Sequence, residues 1–339
     1  MSFNQDIKAV IPKNIDGRFL YYALLNHKPL LLSIIESAGH GTGRLPTDRL
    51  SGLLVPQLSK EEQQAIASIL GALDDKIELN RRMNETLEAI ARAIFKDWFV
   101  DFGPVRAKME GRAPYLAPDI WSLFPDRLDN LGKPEGWTSS TIGQEVEVVG
   151  GSTPSTKEPA FWGGDVSWAT PKDLSSLNTP VLLSTERQIT GAGLSQIGSG
   201  LLPVGTVLLS SRAPIGYMAI AQIPVAVNQG FIAMICNRRL SNVFVWLWTQ
   251  ANMEIVHQKA NGSTFQEISK SNFRPIAATV PKGEVLRAFD EAVTPLFDRI
   301  VANEIESKAL ATMRDFLLPK LMSGEVRVKD AEKLVGEAT

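Results

Sequence analysis

The chain has 339 residues, is 44% hydrophobic and 21% charged, and carries a formal net charge of −2. That balance is typical of a globular protein of two or three units, and it argues against a generic polyanion binder, whose affinity comes mostly from Lys and Arg at phosphates. No apolar run approaches the ~20 residues of a membrane span, and the N-terminus lacks a basic-then-apolar signal layout. Cys236 is the only cysteine, so an intramolecular disulfide and a cysteine-built zinc site are both excluded. The cytoplasm is the expected compartment.

In chain order, residues 1–57 suggest the C-terminal part of a first globular unit. Residues 58–100 predict a long helix that starts with a capping box, Ser59 with Glu62 three positions on. Steps of seven give Ile66, Leu73, Asn80, Leu87 and Ile94, and the interleaved positions are Leu70, Ile77, Asn84, Ala91 and Trp98. This is a coiled-coil seam with a polar middle. About 40 residues at ~1.5 Å each span roughly 60 Å, far beyond an ordinary globular helix.

Residues 101–134 carry several prolines and suggest a connector. Residues 135–283 suggest a complete second unit of mixed α and β type. In it, "EVEVVGGSTPSTKEP" reads as a strand running into a loop rich in glycine and hydroxyls, and "VFVWLWTQANMEIVHQKA" as a helix. Residues 284–324 predict a second long helix with Phe289, Leu296, Asn303, Leu310 and Leu317 along one seam, ending at Gly324. Residues 325–339 suggest a polar tail that frays. The expected fold class is α+β: mixed α/β globular units plus two long helices packed as an antiparallel coiled coil.

The layout repeats. "SFNQDIKAVIPK" (residues 2–13) aligns with "AVNQGFIAMICN" (residues 226–237), and "GRFLYYAL" (residues 17–24) with "NVFVWLWT" (residues 242–249). "HGTGRLPTDRL" (residues 40–50) parallels "GSTFQEISKSNF" (residues 262–273), and Asp75, Ile77, Asn80 and Leu87 match Asp298, Ile300, Asn303 and Leu310. The segments keep their order in both copies, so chance is a poor account.

Enzyme signatures are missing. There is no GxxxxGK[ST] loop, no G-x-G-x-x-G after a strand, no G-x-S-x-G elbow and no Asn-Pro-Pro-aromatic motif of the kind an amino-methyltransferase uses. His27, His40 and His257 lack metal-ligand spacing. Asp126, Asp129 and Asp173 are compatible with a nuclease site, but solvated surface charge is the simpler reading.

Two globular units, each followed by a long helix, resemble the DNA-specificity subunit of type I restriction-modification systems. "LGALDDKIELNRRMNETLEAIARAIFKDWFVDFGPVRAKMEG" (residues 70–111) resembles that family's central conserved region. "GGSTPSTKEPAFWGGDVSWATPKDL" (residues 150–174) is similar to the opening of a target-recognition domain, and "FLLPKLMSGEVRV" (residues 316–328) to the distal conserved region. The resemblance covers nearly the whole chain. It implies a non-catalytic subunit in which each recognition domain reads half of a split duplex DNA site and the helices set the gap between halves. It also implies docking of two methyltransferase subunits and a restriction subunit, with S-adenosylmethionine, ATP and Mg held by those partners and neither cofactor nor metal held by this chain. One departure is expected. The counterpart of residues 137–225 is missing from the first copy, which leaves the first recognition domain incomplete and raises self-association or a complementing fragment as ways to rebuild a two-headed frame.

On this reading the DNA contacts come from loops of the second unit. The candidates are Ser152, Thr153, Ser155, Thr156, Lys157, Trp168, Thr170, Lys172, Ser211, Arg212, Asn228, Gln229, Ser263, Thr264 and Gln266. Hydroxyls, amides and arginine read base edges, while lysine holds phosphates. A core position for Trp168, and a turn-satisfying role for Asn228 and Gln229, are the plainer alternatives. Residues 135–284 carry ten Lys/Arg and ten Asp/Glu, so weak, salt-sensitive binding is expected of the isolated chain. Asn80 and Asn303 are expected to face each other and fix helix register. The rival class is an antiparallel coiled-coil adaptor that binds protein without reading DNA.

Overall fold

A computed structural model describes residues 7–38, 42–262 and 266–336. The chain divides into two compact units: residues 1–81 with 305–339, and residues 82–304. Both long helices run through both units, the central helix as Lys60–Phe95 and the distal helix as Gly283–Ser323.

In the first unit, the helix Gly17–Asn26 is capped by the Asp16 carboxylate, which accepts from the Phe19 N–H at 2.9 Å. Its buried Phe19 and Tyr22 pack with Ile66, Leu70 and Leu73 of the central helix and with Leu310, Leu317 and Leu321 of the distal helix. The start of one long helix thus meets the end of the other, which makes the pair antiparallel. The Ser59–Glu62 capping box forms: Glu62 Oε2 accepts from the Ser59 N–H at 3.0 Å, and Ser59 Oγ from the Glu62 N–H at 3.2 Å. Arg314 of the distal helix is neutralised by Asp74 at 2.7 Å, which also accepts from the Tyr22 hydroxyl at 2.6 Å. A small hairpin pairs β1 (Glu36–Ala38) with β2 (Thr42–Arg44).

The C-terminal tail departs from the sequence expectation. Residues 328–336 form a helix, Val328–Gly336, rather than fraying. Ala331 and Val335 sit one turn apart on one face and are buried in the first unit's core. Their burial offsets the ordering cost of a segment that is polar on average.

The second unit contains a five-stranded sheet ordered β4 (Glu147–Val149), β11 (Phe231–Ile235), β8 (Val207–Ser211), β9 (Ile215–Ala221) and β6 (Val181–Leu182). A second sheet has β5 (Trp162–Ala169) at its centre, parallel to β10 (Ala226–Val227) and antiparallel to β7 (Arg187–Ile189). A third pairs β3 (Thr138–Thr141) with β12 (Ala277–Val280), just before the distal helix begins. The helix Asn242–Ala251 is buried from Val243 to Thr249, which explains a run too apolar to show a clear polar face.

The central helix ends in a π-helical turn, Lys96–Val100, with Trp98 and Phe99 buried. The wider turn aims both rings into the second unit's core rather than along the helix surface. Phe99 contacts Phe95, Trp98, Trp137, Phe244 and Phe289 at ring-centroid distances of 4.9–6.0 Å. Residues 101–134 are themselves packed: Val105 and Ala107 are fully buried, and Phe124 joins the same aromatic cluster.

The polar middle of the seam is buried and satisfied. In the first unit the Asn80 amide donates to Glu306 Oε2 at 2.7 Å and to Ser307 Oγ at 3.2 Å. In the second, Asn303 donates to Asn84 Oδ1 at 2.8 Å, and Asn84 to Glu304 Oε1 at 2.9 Å.

Candidate nucleic-acid interface

The polar loops of the second unit follow the ends of its strands. The loop after β4, residues 150–161, can approach β10 only because residue 151 is glycine: a Cβ there would lie 1.6 Å from the Val227 carbonyl oxygen. The next residues hang on two indoles. Trp168 Nε1 donates to the Ser152 carbonyl at 3.3 Å, and Trp162 Nε1 to the Ser155 carbonyl at 3.0 Å. The loop backbone is therefore fixed from beneath, which leaves Thr153, Ser155, Thr156 and Lys157 exposed. Ser152 Oγ donates to the Gln196 carbonyl at 3.3 Å.

Hydrogen bonds then link this loop to the others. Thr153 Oγ1 donates to Gln229 Oε1 at 2.8 Å. The Asn228 N–H donates to the Ala169 carbonyl at 3.1 Å, and Asn228 Oδ1 accepts from the Gly230 N–H at 2.8 Å, closing a tight turn. The Ser211 N–H donates to the Gly230 carbonyl at 2.8 Å, and the Ile268 N–H to the Ser211 carbonyl at 3.0 Å. Arg212 forms an ion pair with Glu267 at 3.7 Å, and Glu267 pairs with Asn261 through both backbone bonds at 2.9 Å. Candidate segments separated by more than 100 positions in sequence thus form one connected face.

Two candidates are not presented on that face. The Trp168 ring is buried in a small cluster with Ile189, Ile197 and Ala226, so it supports the loop instead of offering a stacking platform. Ser211 is 3% exposed and contributes through its backbone. Others are already engaged. Thr170 donates its N–H and its hydroxyl to Asp173 Oδ2 at 2.7 and 2.8 Å and caps the helix Pro171–Ser175, while Lys172 pairs with Glu186 at 2.8 Å. Asn228 fills the turn-satisfying role. Gln229 and Gln266 are exposed. Ser263 and Thr264 lie outside the described residues.

Sequence reasoning passed over Arg187. It is exposed on β7, with its guanidinium 3.6 Å from the Trp162 ring centroid and 5.3 Å from that of Trp168. Its signal in sequence was faint, because only tertiary structure brings residue 187 over residue 162. Among the described residues no group of His, Cys, Asp and Glu is arranged to hold a metal ion, and no helix is long and apolar enough to cross a membrane.

A mixed α/β domain with a face of hydroxyls, amides and stacked arginine, joined to paired long helices, defines the class: a DNA-reading domain carried on a helical frame. A family model described as the type I restriction modification DNA specificity domain matches residues 1–89 and 134–299. The chain belongs to that family of type I restriction-modification specificity proteins. Its role is recognition of DNA within such a system, not catalysis.

The specificity subunit of the type I restriction enzyme HindI from Haemophilus influenzae is 27% identical over 355 aligned positions, spanning 91% of this chain and 77% of that protein. The MjaIX specificity subunit of Methanocaldococcus jannaschii is 36% identical over 178 positions, spanning 52% of this chain and 41% of that one. Among solved structures, the S subunit of a type I restriction-modification system from M. genitalium matches with a TM-score of 0.53 at 17% identity, covering 91% of this chain and 72% of that chain. At that identity the match speaks for the fold.

Proposed function

We propose that residues 135–283 read one half of a bipartite duplex DNA site, and that the long helices form a frame for two methyltransferase subunits and a restriction subunit. The observation that carries this reading is the hydrogen-bonded chain from Thr153 through Gln229, Gly230 and Ser211 to Ile268, which joins distant polar loops into one face. S-adenosylmethionine, ATP and Mg belong on the partner subunits. A half-open groove of about 280 Å³, lined by Arg92, Phe95, Lys96, Val100 and Leu247, is a candidate partner contact on the second unit.

The first unit supports a further element of the assembly. Ile7, Val10 and Tyr21 are 57%, 47% and 55% exposed, yet their repeat counterparts Phe231, Met234 and Trp246 are at most 2% exposed. We assign these exposed apolar side chains to contact with another recognition-domain segment, through self-association or a complementing fragment. Light scattering across a concentration series tests self-association; a strictly monomeric chain leaves only the fragment.

The adaptor alternative has no comparable support, since the family match covers the recognition unit, most of the central helix and the start of the distal one. Methylome sequencing of a strain expressing this chain with a type I methyltransferase is the deciding experiment. A bipartite methylated motif is the expected result, and an absence of new methylation with an assembled complex overturns the reading. Gel shifts should show weak, salt-sensitive binding by the chain alone and tight binding with the methyltransferase.

A further inference from the structure

We propose that Arg187 is a DNA-contacting residue whose guanidinium is preset over Trp162 to engage a paired acceptor on duplex DNA, either the O6 and N7 atoms of a guanine or two oxygens of a phosphate. The inference rests on the reading that the second unit binds DNA.

The arrangement is built from the strands upward. Trp168 on β5 is in register with Arg187 on β7, so the arginine leaves its strand beside the tryptophan pair. Trp162 and Trp168 meet edge to face, with centroids 5.1 Å apart and planes at 87°. Their indole N–H groups are tied down by the carbonyls of Ser155 and Ser152. The rings therefore cannot swing away, and they form a rigid seat for the guanidinium 3.6 Å above Trp162.

Stacking engages the face of a guanidinium and leaves its in-plane N–H donors pointing outward. Such a group has already given up much of its rotamer freedom, and its fork matches two adjacent acceptors. Neighbouring cations differ. Lys172 is held by Glu186 and Arg212 by Glu267, whereas among the described residues Arg187 makes no ion pair with a carboxylate. The same tryptophans hold the loop that exposes Thr153, Ser155, Thr156 and Lys157, so the free donors of Arg187 belong to the polar face already described.

The test uses the full chain assembled with its methyltransferase and a pool of random-sequence DNA duplexes. Wild type is compared with Arg187→Met, which still covers the indole, and with Arg187→Gln. Enrichment of a motif by wild type establishes DNA reading independently of Arg187, and failure to enrich counts against the underlying reading instead. Both variants should then lose about tenfold or more in affinity for the wild-type motif. If the acceptor is a guanine, one G position loses its preference in the variant-selected pools. If it is a phosphate, the motif stays and affinity falls on all duplexes, with the salt dependence reduced by about one charge. Unchanged affinity, motif and salt dependence in properly folded variants overturn the proposal. Thermal melts check folding, and if the methionine variant melts early, the glutamine variant decides.

Discussion

Asn303 donates its side-chain amide to Asn84 Oδ1 at 2.8 Å, with both residues buried between the long helices. An amide pair buried in the polar middle of an otherwise apolar seam favours one register, because a slip would set each amide against aliphatic side chains. Replacing Asn84 removes the acceptor of this Asn303 bond and a donor to Glu304 Oε1. Asn84→Ala, Asn303→Ala and the double variant should therefore be non-additive, with a coupling of about 0.5–1.5 kcal/mol by chemical denaturation. Additive losses would show that the pair does not act as a unit.

Glu304 carries the pH dependence of this seam. Burial pushes its carboxyl up, against the lowering effect of the Asn84 amide, and burial likewise pushes up Glu88 despite Arg92 nearby. A carboxyl raised in the folded state contributes stability that is fully present below its unfolded pKa and is lost as pH rises through the folded one. Glu304→Gln keeps an acceptor for Asn84 and removes the charge. Thermal melts should show a gain at about pH 8 and little change at about pH 4. A loss at about pH 8 that exceeds the loss at about pH 4 would mean that the charged form is the one the fold prefers.

Glu145 has the opposite sign. It is 2% exposed, and burial would raise its carboxyl, but Arg239 at 2.9 Å and the Ser140 hydroxyl at 2.5 Å outweigh that and hold it below the usual range. Its contribution is present above the unfolded carboxylate pKa and is lost as pH falls through the lower folded value. Glu145→Gln should cost stability at neutral pH and flatten the acid limb of the stability curve. An unaltered acid limb would assign acid sensitivity elsewhere.

Gly151 tests whether loop position governs DNA reading. A Cβ 1.6 Å from the Val227 oxygen cannot be accommodated without moving the loop off β10 and the two indoles. Gly151→Ala should cost about 1–3 kcal/mol and abolish enrichment of the wild-type motif in the methyltransferase complex. A folded variant that enriches the same motif would show that the loop's placement is not needed for reading.

Much of this protein was legible because its signals are periodic or repeated. The seven-residue steps identified Leu70, Leu73, Phe289, Leu310 and Leu317 as seam residues, and the structure buries each of them. Heptad spacing places residues on one face whatever the rest of the chain does, so sequence alone determined the helix pair. The loop face was legible only by composition. Whether Trp168 meets a base or a core, whether Lys172 and Arg212 are free or paired, and whether Arg187 matters at all depend on contacts between strands that are distant in sequence. The helical tail at Val328–Gly336 is a similar case, since its order comes from a core that receives Ala331 and Val335. Local pattern fixes which face a side chain occupies. Tertiary packing decides what waits there, because burial and pairing depend on neighbours that no local spacing encodes.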